Sequence, residues 1–427
     1  MTEGLGSRFA KLWTASTLSA LGSGLATIAA PLYVAAHTES ALLVATTSTA
    51  AWLPWLLFAI PGGVLVDRAD RRRLMVTIDW SRVVVMGVLA TALLAGRSSV
   101  VLLDVVLFLI NAGEAVFRSA SQAMTPSVVP RDRLERANGW LIGGTTLMQG
   151  MVAGPLGGFL FVVSASAPFF VNAGTYAASA VLVGLVAGVY RATGGTRGDS
   201  GAGSGAEPPA KTRGSVRAEV AEGFRWLMHQ RLLRTMALLI GLLNVTLTAT
   251  MAVLVLLVKE RLHLGSVGYG TLFSCEAAGG IVGAVWGDRL IRTVTATWTI
   301  RIGLLIEAGL HLTLATSRNA YVVGFMMFVF GVHASLWTIV GASLRQRMTP
   351  PEMLGRVGST NLFIAAGGNC IGALLGGTLA SAFGITAPYW VAFVVAIGVS
   401  ATTWHVFSRA TVAKAYAEPP SMAGTPA

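Results

Sequence analysis

Residues 61–74, PGGVLVDRADRRRL, place four arginines and two aspartates in an otherwise apolar sequence. The pattern G-x4-D-R-x2-R within this stretch begins at Gly62 and again at Gly283, 221 residues later. A second pattern, P-x3-L-x-R, begins at Pro130 and at Pro350, and a Gly-Gly pair stands at 157–158 and at 376–377. Three matches in the same order, within two residues of one offset, predict two halves related by a parallel duplication.

The composition is that of a membrane protein. Hydrophobic residues make up 54% of the 427 residues and charged residues only 12%, about half the share of a soluble domain. The mean hydropathy is +0.68. These values exclude a soluble enzyme, a coiled coil and a disordered chain. Two cysteines, Cys275 and Cys370, exclude a disulfide framework.

Twelve stretches are long and apolar enough to cross a bilayer, which takes about 20 residues for each helix. They predict an all-α polytopic membrane protein with two bundles of six helices. In chain order, spans 1 to 12 are 9–35, 41–66, 74–95, 99–121, 134–162, 166–190, 231–258, 267–291, 296–316, 319–345, 353–381 and 385–409.

The two bundles are separated by a polar segment. Residues 191–215 have almost no bulky apolar side chains, so we expect a flexible linker there. Residues 216–231 show the pattern of an amphipathic helix at the membrane surface, with Val220, Phe224, Trp226 and Leu227 on its apolar side. The predicted organisation is an N-terminal bundle over 1–190, a linker with a short helix over 191–230, a C-terminal bundle over 231–409 and a tail over 410–427.

The basic residues predict the orientation in the membrane. Of the 31 lysines and arginines, four (Arg97, Lys259, Arg261 and Arg318) lie at one set of span ends and 27 lie at the other ends and in the polar segments. By the positive-inside rule the second set is cytoplasmic, and so are both termini. The net charge of +12 then reflects topology and contact with anionic lipid rather than nucleic-acid binding. Arginine outnumbers lysine by 27 to 4, which fits a GC-rich bacterial genome and hence a bacterial cell membrane.

Two stretches of the sequence resemble a known family. Gly63, Asp67, Arg68, Asp70 and Arg71 resemble the loop between spans 2 and 3 that is the signature of the major facilitator superfamily. Residues 125–139, TPSVVPRDRLERANG, resemble the branch that contains macrolide efflux proteins and the enterobactin exporter. The resemblance covers the whole chain. It implies a twelve-helix fold and, in this branch, mostly proton-driven export of small molecules.

The resemblance implies a gating role for the signature loop. Asp67 would accept hydrogen bonds at the N-terminus of span 11 and hold the cytoplasmic side shut, and Arg68 and Arg71 would pair with acids across the interface or with lipid phosphates. Asp288 and Arg289 are the repeated positions. The alternative is that the arginines supply positive-inside charge only. Asp70 replaces the family's usual glycine.

The glycines of spans 5 and 11 predict close helix packing. Drug/proton exporters of the family carry G-P-x-x-G-G in span 5, whereas here the glycine pair follows Pro155 one residue early. Span 4 also lacks the family's frequent arginine, since its place near Leu109 is apolar. The predicted packing residues are Gly154, Pro155, Gly157, Gly158, Gly372, Gly376 and Gly377.

Three intramembrane groups are candidates for proton coupling, because ionisable side chains in spans are costly and usually functional. Glu276 lies nine residues into span 8, near the midplane, with no lysine or arginine close in sequence. Glu114 has Arg118 four residues later, which favours a structural ion pair. His333, deep in span 10, either couples protons or packs as a satisfied histidine.

Two other pairs, Asp79 with Arg82 and Glu307 with His311, fall in spans 3 and 9. Because the resemblance makes these spans peripheral, we expect both pairs to be structural.

The substrate cavity is expected, by resemblance, between spans 1, 2, 4, 5, 7, 8, 10 and 11. A few polar groups in apolar walls suit an amphiphilic ligand. The candidates are Trp52, Trp55, Gln149, Asn244, Trp337, Asn361 and Asn369. The six histidines are scattered and there is no Walker A pattern, so we expect neither a metal site nor an ATPase, and no cofactor.

The sequence therefore favours a proton-coupled exporter of amphiphilic small molecules. The partners expected are that substrate and the surrounding lipid, with no obligate protein partner. An importer of a small nutrient and a lipid transporter remain alternatives on the same fold. A non-transporting sensor or scaffold would need a soluble domain larger than the linker.

Overall fold

The computed structural model describes residues 5–58, 65–66, 69–188, 190, 216–350 and 353–408, and these residues form helices without any strand. The predicted linker 191–215 and the tail beyond residue 408 lie outside the described residues. In the described part of the first half we number six long helices. Helices α1 to α6 are Ser7–His37, Ala41–Phe58, Arg71–Leu94, Val100–Val128, Leu134–Val163 and Ala167–Gly184.

The second half begins with the amphipathic segment. Helices α7 to α14 are Val216–His229, Arg231–Ala252, Leu254–Glu260, Ser266–Val294, Ala296–Thr316, Ala320–Met348, Leu354–Phe383 and Ala387–Thr403. The predicted span 231–258 is divided between α8 and α9, because Val253 leaves the helical conformation with φ −107° and ψ 5°.

In the described part of the chain, ten helices are long and apolar enough to span a membrane. The remaining two predicted positions are occupied by α10, whose glycines and Glu276 lower its hydropathy, and by α14, which has 17 residues. The all-helical membrane fold is confirmed, and crossing by all twelve helices stays a prediction.

Contacts between helix ends define the two ends of the bundle, because Lys11 of α1 donates to the Leu185 carbonyl after α6 and Lys259 of α9 donates to the Ala35 carbonyl near the end of α1. The linker face carries the starts of α1, α3 and α8 at Ser7, Arg71 and Arg231. The far face carries the ends of α1 and α9 at His37 and Glu260.

The duplication is visible in the helix boundaries. Helices α4 and α12 both have 29 residues and begin 220 positions apart, and α5 and α13 both have 30 residues with the same offset. The glycine pairs are only 219 positions apart. A π-helical turn over Leu147–Val152 in α5 accounts for the difference, because such a turn holds one residue more than an α-helical turn.

The most extensive contacts between the halves are made by two helix pairs, α2 with α13 and α5 with α10. In the second pair, Gly154 and Gly158 lie against the backbone of Gly270 and Ser266. In the first, Gly377 lies against the backbone of Ala41. Small residues let these backbones approach closely.

The remaining predicted packing residues also lie at helix contacts. Gly157 faces α1, Gly372 and Gly376 face α8, and Pro155 lies beside Gly270.

The buried core shows where the two halves join. One apolar cluster includes residues of both halves, among them Ala35, Phe169, Leu257 and Tyr389, near the far face. Towards the linker face the core divides into one cluster of the first half and another of the second. Lys259 Nζ donates to the Ala35 carbonyl at 2.9 Å, which adds a polar contact between the halves at the far face. The halves are therefore joined at the far face and part towards the linker face.

Helix α7 docks on the second half instead of presenting its whole apolar side to lipid. Trp226 and Leu227 are buried against Leu233 of α8 and Val357 of α13. Phe224 remains exposed, and the side chain of Val220 is not described. Trp226 and Leu227 therefore lie on an apolar side of α7 that packs against α8 and α13, and contact of α7 with the membrane surface stays a prediction.

Candidate functional site: a cavity between the two halves

A cavity of about 640 Å³ lies between the halves, which we call the inter-half cavity. Its first-half wall comes from α1 and α5, and its second-half wall from α10 and α12. Most of the lining is glycine, alanine and isoleucine, and the polar side chains include Gln149 and Glu276. Apolar walls with a few placed polar groups suit an amphiphilic ligand.

Gln149 lies on the π-helical turn of α5. Next to it, Gly150 faces Ala277 across the interface with α10. The turn therefore brings an amide into the cavity at the level where α5 meets α10. Such turns are frequent at functional sites, and in the amino-acid pattern this one is marked only by the one-residue shift of the glycine pair.

Glu276 occupies the opposite wall, on α10. Its backbone carbonyl lies against Gly331, where α10 crosses α12. Its carboxylate forms no hydrogen bond or ion pair with any described residue. The structure thus places this candidate for coupling in the wall of the cavity, without a counter-charge.

A second cavity of about 350 Å³ lies within the second half, and we call it the C-half pocket. It brings together four sequence candidates, Asn244, His333, Trp337 and Asn361. Both asparagines donate Nδ2 to a carbonyl four residues earlier, at 2.8 and 3.2 Å, so each Oδ1 can accept a hydrogen bond from a ligand.

The C-half pocket also contains groups that the sequence did not place there. Glu307 lies in its wall, and Arg345 lies at the linker-face end of α12. Ala334 and Thr338 belong to the walls of both cavities, so the two cavities adjoin along α12.

Glu114 lies in a buried polar network of the first half, and its predicted pairing with Arg118 is wrong. Its partner is Arg82 of α3, and Ser23 donates a further hydrogen bond at 3.0 Å. Arg118 is exposed and lies over the Trp55 ring at 6.0 Å. The spacing of four residues indicated a shared helix face, but a neighbouring helix supplies the buried cation.

Arg82 is the centre of that network. It also donates to Asp79 at 3.1 Å and to Ser19 at 3.2 Å, and its guanidinium lies 4.5 Å from the Tyr176 ring centroid. It further donates to the Ile110 carbonyl. An arginine of α3 thus reaches α4 beside Leu109, where the resemblance implied an arginine on α4 itself.

The signature-loop residues are described only in part. Gly63, Asp67 and Arg68 lie outside the described residues. Asp70 caps α3 by accepting from the Arg73 amide at 2.9 Å, and Arg71 donates to the Ala123 carbonyl at 2.9 Å.

Their repeated positions lie on α10. Asp288 pairs with Arg292 one turn later, and Arg289 lies over the Trp286 ring at 5.9 Å. These contacts of Asp70, Arg71, Asp288 and Arg289 all lie within one half, so a gating contact stays a prediction.

Three predicted cavity residues lie outside the two cavities. Trp52 and Trp55 are on α2. Asn369 is buried and accepts a hydrogen bond from Thr248 Oγ1 at 2.8 Å, so it holds α13 to α8. This is the helix-to-helix role that polar amides often have in membranes.

The comparison of sequences identifies the family. A sequence model of the Major Facilitator Superfamily matches residues 12–373. The chain belongs to the major facilitator superfamily. It is accordingly a multi-pass membrane transporter and not an enzyme.

Two relatives in this superfamily are exporters by name. The enterobactin exporter EntS of Escherichia coli O1:K1 / APEC is 24% identical over 379 residues, which are 86% of this chain and 84% of EntS. Macrolide efflux protein A of Streptococcus pyogenes is 29% identical over 133 residues, 31% of this chain and 33% of that protein.

A solved structure supports the fold. A bacterial homologue of the human lysosomal transporter Spinster, in an inward-facing and unoccupied conformation, has a TM-score of 0.73 at 14% identity, covering 99% of this chain and 100% of that chain.

Proposed function

We propose that the chain is a secondary active transporter of a bacterial cell membrane that exports amphiphilic small molecules in exchange for protons. Its substrates in this proposal are drugs, natural products or siderophores. Glu276 carries the proposal, because it is an ionisable group without a counter-charge in the wall of the inter-half cavity. The exporter names of two relatives support the direction of transport.

The arrangement of the halves supports alternating access. With the linker face cytoplasmic, as the basic residues predict, the parted side of the bundle admits substrate from the cytoplasm. Rocking one half on the other would close that side and open the far face. The contacts to be broken are backbone approaches such as Gly154 against Gly270 and the hydrogen bond from Lys259 to Ala35.

In this proposal, Glu276 binds the proton that is exchanged for the substrate. An uncompensated carboxylate inside the membrane is costly, so the carboxyl keeps its proton while the site is dry. When water or a cationic group of the substrate enters the cavity, the ionised form is stabilised and the proton leaves. Only the proton gradient is needed as a driving force, and no cofactor takes part.

The test uses inverted membrane vesicles with an imposed pH gradient and a panel of fluorescent amphiphilic cations. We expect the wild type to accumulate at least one of them and to dissipate the gradient as it does so. In Glu276→Gln we expect uptake to lose its response to the gradient.

Glu222→Gln is the matched control, because Glu222 is an exposed carboxylate on α7. It should transport as the wild type does. Gradient-driven uptake by correctly folded Glu276→Gln would contradict the role of Glu276. Accumulation only in right-side-out vesicles would indicate an importer instead.

A further inference from the structure

A second group of ionisable side chains is buried in the second half, apart from Glu276. Glu307 and His311 lie one turn apart on α11, and their nearest charged atoms, Oε1 and Nε2, are 3.9 Å apart. The exposed fractions of Glu307, His311 and His333 are 4%, 0% and 5%. The His333 ring packs against Gly303, one turn before Glu307 on the same helix.

These groups lack the partners that a structural ion pair would have. Glu307 Oε1 and both ring nitrogens of His311 are buried without a hydrogen bond in the described structure. At 3.9 Å the carboxyl and the imidazole are near each other but beyond hydrogen-bond distance. Buried polar groups are nearly always paired, so three orphaned atoms in one cluster call for an explanation.

Among the described residues, no lysine or arginine forms an ion pair with Glu307, and the charged residues Asp288 and Arg292 of α10, which also packs against α11, pair with each other. On α11 itself, Arg301 donates to the Trp404 carbonyl at 2.8 Å and lies over that ring. Helix α12 contributes His333 and, three turns nearer the linker face, Arg345. Helix α14 carries no Asp, Glu, Lys, Arg or His, and its Tyr389 donates to the Thr250 carbonyl.

Electrostatics then restrict the pair to one proton. With no proton, the pair would carry an isolated negative charge in an apolar site, and with two protons it would carry an isolated positive charge. Both are costly inside a membrane. With one proton on the Glu307 carboxyl and a neutral His311 imidazole, neither group is charged, and this form avoids the two separated charges of an ion pair that has no hydrogen bond at 3.9 Å. The chemistry is that of a site that holds one proton and releases it when water enters.

We propose that Glu307 and His311 form a second proton-binding site of the transporter, reached from the C-half pocket and distinct from Glu276. Glu307 and His333 line that pocket, which adjoins the inter-half cavity along Ala334 and Thr338. A substrate that enters the inter-half cavity therefore lies beside the route by which water and protons reach Glu307. The use of this proton in transport rests on the proposed exchange, whereas proton binding itself does not.

The test detects the proton directly and needs neither substrate nor gradient. The purified transporter is reconstituted in lipid bilayers, and infrared difference spectra are recorded as the pH is changed. The carbonyl band of a protonated buried carboxyl is followed. We expect Glu276→Gln to keep part of the wild-type band and Glu307→Gln to keep another part. In the double variant we expect both parts to be lost.

His311→Gln keeps both carboxyls and changes only the neighbour of Glu307. Combined with Glu276→Gln, it should shift the pH at which the remaining band titrates, and this variant keeps the proposal testable if Glu307→Gln does not fold. Glu222→Gln should leave the band unchanged.

A folded Glu307→Gln variant with the full wild-type band would overturn the proposal. So would an unshifted titration in His311→Gln, or the complete absence of the band in Glu276→Gln. If the wild type shows no proton-driven transport but still has the part of the band that comes from Glu307, the proposed export is contradicted and the proton site is not.

Discussion

At two pairs of equivalent positions, the two halves exchange a large side chain and a glycine. In the first half, Arg82 of α3 extends over Gly113 of α4. In the second half, the glycine is on α11, as Gly303, and the large side chain is on α12, as His333. With the repeat offsets of 221 and 220, Arg82 corresponds to Gly303 and Gly113 to His333.

The exchange of positions also changes the electrostatics. Around Arg82, a permanent cation is paired with Asp79 and Glu114 and capped by Tyr176. Around His333, the ionisable groups Glu307 and His311 have no permanent counter-ion among the described residues. The difference suggests a division of labour: the first half keeps its buried charges fixed, while the second half contains groups whose protonation can change.

The largest effect should come from removing the centre of the fixed network. Arg82→Met leaves Asp79 and Glu114 buried without a cation, and breaking a buried pair in this way costs roughly 3–5 kcal/mol. Thermal unfolding of the purified protein should show a large loss of stability. Arg118→Met is the control, since Arg118 is exposed, and it should unfold close to the wild type. Equal stability of the two variants would refute a stabilising role for the network.

A smaller effect is expected from the equivalent position of the second half. In Gly303→Val the added carbons meet the His333 ring. Overpacking of this kind typically costs about 1–3 kcal/mol. The displaced histidine should also change the pH profile of transport, which a vesicle assay at several pH values would detect. An unchanged profile together with unchanged stability would show that His333 does not need this contact.

Within the network, single neutral hydrogen bonds should matter less than the arginine. Tyr176→Phe removes the hydroxyl that lies 3.1 Å from Ser23 but keeps the ring beside Arg82. Loss of one such bond costs about 0.5–1.5 kcal/mol. A comparison of the thermal unfolding of Tyr176→Phe with that of the wild type measures this effect. A cost as large as that of Arg82→Met would mean that the hydroxyl, and not the charge pairing, holds the network together.

The smallest effect is expected from an exposed ion pair. Glu222 of α7 and Arg356 of α13 are 2.7 Å apart at the surface. Such pairs contribute roughly 0–1 kcal/mol because water and salt screen them. Glu222→Gln should hardly change thermal unfolding. A large loss would show that α7 depends on this pair rather than on the burial of Trp226 and Leu227.

The repeat and the apolar spans were enough to predict the fold, because both are patterns along the chain. The same patterns marked Glu276 as the carboxyl without a nearby cation. They do not predict contacts that depend on how a helix is rotated and which helix lies beside it. Glu114 is an example, because its ion-pair partner, Arg82, comes from another helix. The resemblance predicts that Glu307 lies on a peripheral helix. It nevertheless lines the C-half pocket, because α11 turns that residue towards α12. The π-helical turn leaves no mark except the shift of the repeat by one residue.

The division of labour between the halves is tested most directly by substrate-driven proton flux in proteoliposomes. Wild type, Glu276→Gln and Glu114→Gln are compared, with flux expressed per folded molecule and an amphiphilic cation accepted by the wild type as substrate. We expect Glu276→Gln to abolish the flux. Glu114→Gln should lower the yield of folded protein but keep its flux. Loss of flux in folded Glu114→Gln with retention in Glu276→Gln would contradict the account, because coupling would then lie in the first half.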